Sequence, residues 1–122
     1  MNVVALAQQG LDRMEINPAF ADRVHVVTAL LKAKGVLSTN RAALNARPHT
    51  HVAAAIALAH DLGATLDIHT RRAEAYYLDG LSTLFISWLD KCVKAGILEA
   101  NNSLGRAHGN LRPTQLVADL LS

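Results

Sequence analysis

Four histidines offer the first chemistry to weigh, because His49, His51, His60 and His69 stand in an H-x-H-x8-H-x8-H spacing that invites a metal ion. Helix geometry argues against a shared site. If His51 and His60 lie on one helix, nine residues turn the chain by about 900° and separate them by roughly 13 Å along the axis, on opposite faces. His49 and His51 could meet His69 or Asp67, but all are read more simply as helix-end and surface histidines, and no metal or other cofactor is expected. Cys92 is the single thiol. It falls on the apolar face of a strongly hydrophobic segment, where a thiolate is disfavoured, so it reads as a small core residue rather than a nucleophile. The serines lack a nucleophile-elbow pattern, and SLGRAHGN lacks the strand, spacing and lysine of a P-loop. No catalytic residue is assigned, and the chain is not expected to be an enzyme.

Composition narrows the remaining classes. The 122 residues fit one domain with a core of its own, expected to span 1–122. Hydrophobic residues make up 51% and charged residues 18%, rich in the Ala and Leu that favour helices. One cysteine permits no intrachain disulfide. The start, MNVVALAQQGLDRMEIN, lacks the basic-then-apolar layout of a signal peptide, and no apolar run approaches the length of about 20 residues needed to span a bilayer. A cytoplasmic protein is expected. Twelve bases against ten acids give a formal charge of +2, with Arg71-Arg72 the only adjacent basic pair, so any contact with nucleic acid rests on scattered cations.

The elements that must position these groups follow from periodicity. Val4, Ala7, Leu11 and Met14 mark one face of a first helix over 2–15, in which Gly10 costs about 1 kcal/mol of propensity. Asn17-Pro18 starts a second helix, the asparagine capping and the proline filling a position whose N–H needs no partner. Its line Phe20, Val24, Val27 and Leu31 should be buried, and Lys34-Gly35 should end it. Ser38, Thr39 or Asn40 could cap a short helix through about Ala46, ended by Arg47-Pro48. A central helix runs from about Thr50 to Leu62, with Val52, Ile56, Leu58 and Leu62 on one side and alanines on the other. It should be surrounded by neighbours, with Gly63 as its cap. A helix is preferred from about Asp67 to Leu78, since RRAEA is helix-forming and no tight-turn residue breaks the stretch; a hairpin over 64–78 is the alternative. Leu81, Leu84, Phe85, Trp88, Leu89 and Cys92 share a face wide enough for two neighbours or a second chain, and Gly96 ends that helix with Ile97-Leu98 folding back on it. Glu99 to Arg112 reads as a long surface loop, and Pro113 precedes a short terminal helix.

The order of these parts resembles the winged-helix family. In that alignment residues 20–34, 39–46 and 50–62 are three successive helices and 64–78 is the wing, which implies DNA binding with Arg71 and Arg72 at a phosphate or the minor groove. The same alignment gives the base-reading helix Thr50, His51, Ala53, Ala54 and Ala57, with no Arg, Lys, Gln or Asn for base edges. The preferred reading is therefore an all-α bundle of five to seven short helices, a non-enzymatic subunit, adaptor or inhibitor that docks on a larger protein or nucleoprotein assembly, with self-association open. Its expected partner-binding residues are Trp88, Asn101, Asn102, Arg106 and His108. Arg41, Arg47, Arg71 and Arg72 are the expected contacts to a nucleic-acid backbone.

Overall fold

The computed structural model describes residues 3–36, 48–67, 82–100 and 110–122. These form α1 (Val3–Ile16), α2 (Pro18–Ala33), α3 (Pro48–Leu62), β1 (Leu66–Asp67), α4 (Ser82–Lys94), β2 (Leu98–Ala100), β3 (Asn110–Pro113) and α5 (Gln115–Leu121). Helices dominate, and a small three-stranded antiparallel sheet of order β1-β3-β2 corrects the expectation of helices alone. No described helix is long and apolar enough to cross a membrane.

α3 is the axis. Every residue from Val52 to Ala59 is 0% exposed, so the helix is apolar on all sides and packed on all sides. α1, α2, α4 and the sheet supply the packing. The helix begins at Pro48, two residues before the expected start: proline fits a first turn, whose N–H groups have no partner inside the helix. α1 turns Val3, Leu6, Ala7 and Gly10 inward and leaves Leu11 and Met14 half-buried at the edge. That face is rotated from the expected one because the closest approach, not the largest side chain, sets it: Gly10 lies against Ala54 of α3.

α2 follows its sequence closely. Asn17 accepts a hydrogen bond from the Phe20 amide at 3.1 Å, Pro18 opens the helix, and Phe20, Val24, Val27 and Leu31 are buried. Arg13 sits 5.5 Å over the Phe20 ring, covering the α1–α2 corner with a cation–π contact. Arg23 then ties three elements together, donating to the Leu121 carbonyl of α5 at 2.9 Å and to the Asp61 carboxylate of α3.

Three helices end in the same way. After α2, α3 and α4 the chain enters Gly35, Gly63 and Gly96 with positive φ, and amides of the glycine and its successor bond back to the last turn. After α4, for instance, Gly96 N–H reaches Val93 O at 3.2 Å and Ile97 N–H reaches Cys92 O at 2.9 Å, which is the Schellman arrangement. Ile97 is thereby pressed into the core, and the chain leaves α4 aimed directly into β2.

The sheet revises two expectations. Asp67 lies in β1, where it pairs with Asn110, so the helix expected from about that residue does not begin there; the rest of that expected helix, 68–78, lies outside the described residues. The loop expected over 99–112 is strand at both ends, with registers Leu98↔Pro113, Glu99↔Arg112 and Ala100↔Leu111. Leu66, Leu98 and Leu111 face the core while Glu99, Asn110 and Arg112 face outward, the alternation that a half-buried sheet requires. The short helix expected over 39–46 lies outside the described residues.

Candidate functional site

α4 and the β2–β3 hairpin form one mechanical unit. Thr114, the residue after β3, donates its amide N–H to the Ile97 carbonyl at 3.1 Å, and its hydroxyl lies at hydrogen-bond distance from the Gly96 and Ile97 carbonyls. The exit of the hairpin is thus fixed to the end of the helix from which it enters. β3 is also the central strand, held by β2 on one side and β1 on the other. Residues 101–109, NNSLGRAHG, join the far ends of β2 and β3.

On α4, Trp88, Leu89 and Cys92 are buried against α3 and the sheet, which turns the opposite side outward. Lys91 and Lys94, both in the last turn, are exposed there, where they also oppose the negative end of the helix. Across the hairpin, Arg112 donates to Glu99 at 3.0 Å, with both side chains more than half exposed, so solvent screens the pair.

Trp88, an expected partner-binding residue, is 1% exposed: its ring is packed within the chain beside Leu89 and Cys92 and offers no surface to dock on. Its indole Nε1–H is buried without a hydrogen-bond partner among the described residues. Burial pushes the Cys92 thiol up to about 12, and this keeps it protonated and unreactive as a nucleophile. His51 and His60 share α3, His51 half-buried near its start and His60 at its end beside Arg23 and Asp61. Among the described residues no group of three His, Cys, Asp or Glu side chains is placed to hold a metal ion.

The other expected site residues, Arg41, Arg47, Arg71, Arg72, Asn101, Asn102, Arg106 and His108, lie outside the described residues. By chain connectivity, Arg71 and Arg72 belong to the segment that leads from β1 to α4, and the last four to the segment that joins the hairpin strands. Lys91 and Lys94 are not among the residues expected from the sequence, where lysines in a last turn are ordinary helix-end charges. Comparison of the chain with protein-family models, with curated proteins and with solved structures found no match.

Proposed function

We propose that this chain is a nucleic-acid-binding module of winged helix-turn-helix type, in which α4 lies on duplex DNA and the β2–β3 hairpin is the wing. One observation carries the reading: the order α3, β1, residues 68–81, α4, β2, β3, combined with the sheet order β1-β3-β2, sends a strand-loop-strand out of the end of one helix. The wing therefore moves from 64–78 to 98–113, and the helix laid on DNA moves from the Thr50 helix to α4. That shift takes α3 out of consideration as the DNA-facing helix, since its alanines are core, not surface. In sequence, the segment before α4 carries the helix-forming RRAEA and an Asp79-Gly80 turn signal.

In this reading the cations divide by task. Arg71, Arg72, Lys91 and Lys94 meet phosphates on and before α4, and Arg106 and His108 act from the segment that joins β2 to β3. Arg41 and Arg47 add backbone contacts if the duplex extends past α3. The deciding measurement is fluorescence anisotropy of a labelled duplex titrated with the whole chain at low salt. Salt-sensitive binding that weakens in Arg71→Ala/Arg72→Ala and in Arg106→Ala supports the module; absence of binding at low salt rejects it.

A second reading, docking on a larger protein or on another copy of the chain, draws on Leu116 and Leu120, one turn apart on α5 and 38% and 39% exposed. Substitution of both by lysine would abolish recovery of a protein partner in pull-down, and leave DNA binding intact.

A further inference from the structure

The mouth between α1, α2 and the first turn of α3 is a cleft of about 580 Å³, separate from the α4–hairpin unit. We propose that it is a binding site for a compact organic cation, an amine or amidine with an apolar body. This goes beyond the nucleic-acid reading and does not depend on it.

The volume lies in the range of small-molecule sites, roughly 300–1,000 Å³. Its floor is Leu11 and Met14, half-buried and packed on the core. Asp12 and Glu15 rise from α1 on the same side, His25 from α2 and His51 from α3. α1 thus has two working faces: the stripe through Gly10 packs on α3, and the neighbouring stripe lines the cleft.

Charge selects the ligand class. No lysine or arginine is among the described lining residues, and neither Asp12 nor Glu15 forms a salt bridge with a described residue. Arg13, which stands beside Asp12 in sequence, is occupied over the Phe20 ring. Asp12 keeps one oxygen engaged by the Gln8 amide at 3.0 Å, which steadies the carboxylate while leaving acceptor capacity. Two carboxylates over an apolar floor suit a cationic head on a hydrophobic body, with charge-assisted hydrogen bonds to the head and ring or alkyl contact below.

The experiment is calorimetric titration of the whole chain with benzamidine, with benzoate as the matched anion. Saturable binding of benzamidine near one equivalent, with none of benzoate, is expected. Asp12→Asn/Glu15→Gln, both at exposed positions, should weaken benzamidine by about tenfold or more with an unchanged thermal midpoint. No saturable benzamidine binding, equal binding by benzoate, or full affinity in the double variant each overturns the proposal. Duplex anisotropy on the same double variant reports separately on the nucleic-acid reading.

Discussion

Gly10 of α1 meets the backbone of Ala54 of α3 so closely that a Cβ at Gly10 would stand 2.8 Å from the Ala54 carbonyl oxygen and 2.9 Å from its Cβ. Backbone cannot step aside as a flexible side chain can. Gly10→Ala gains about 1 kcal/mol of helix propensity, yet must separate the two helices, and overpacking of this kind costs about 1–3 kcal/mol. Urea denaturation should therefore show a lowered midpoint for Gly10→Ala and a larger fall for Gly10→Val. A stabilised Gly10→Ala would mean the two helices do not cross at this pair.

The α2 start makes a cleaner case, because one side-chain oxygen does the work. Asn17→Ala removes the acceptor of the Phe20 amide and should cost about 1 kcal/mol, whereas Asn17→Asp keeps the acceptor and should cost little. Thermal melts of the pair separate capping from a general effect of substitution.

Much of this helical frame was readable in the sequence because its signals are local. Asn17-Pro18, the Phe20-to-Leu31 line and the glycines after α2, α3 and α4 each state their role within a turn or two of chain. β1 could not be read this way: it has two residues, and its partners Asn110 and Leu111 are remote in sequence. The strand at Leu98–Ala100 was hidden by the Asn, Gly and Ser that follow it. Gly10 was legible only as a cost, since its benefit is the approach of Ala54. The candidate site suffers likewise: its hairpin pairs two short strands across a stretch whose composition reads as loop, and Trp88, the most conspicuous side chain on α4, is core.

Cys92 links burial to pH. Its thiol is raised from the ordinary 9.0 to about 12 by desolvation, so the folded chain holds this proton more tightly than the unfolded chain. The associated stability is full below pH 9.0 and is lost as pH rises toward about 12, because the unfolded state ionises first. Cys92→Ala should flatten this alkaline loss in denaturation curves. Thiol-reactive reagents should label the native protein slowly, and labelling should speed up in urea.

Thr114 fixes the hairpin to the end of α4 through its hydroxyl and amide. Thr114→Val removes the hydroxyl and leaves the amide bond, and should cost about 1 kcal/mol, felt mostly in the hairpin. Amide exchange at Leu111 and Arg112 should then quicken while Val52 to Ala59 stay protected, and Thr114→Ser should restore most of the difference. Equal acceleration throughout would show that helix and hairpin open only with the whole chain.

Lys91 and Lys94 decide whether α4 itself faces the duplex. Both are exposed in its last turn, and each is accounted for as a helix-end charge without any partner. Binding to phosphates adds a distinct signature, since each phosphate neutralised contributes about 0.9 to the slope of log affinity against log salt. Lys91→Ala/Lys94→Ala should therefore reduce that slope by about 2 if each lysine meets one phosphate. A purely helix-end role would instead lower the thermal midpoint slightly and leave the slope alone. Reduced affinity in Arg106→Ala with an unchanged slope in the lysine pair would keep the hairpin in the interface and turn this end of α4 away from the duplex, which makes the slope, rather than affinity, the measurement that locates the helix.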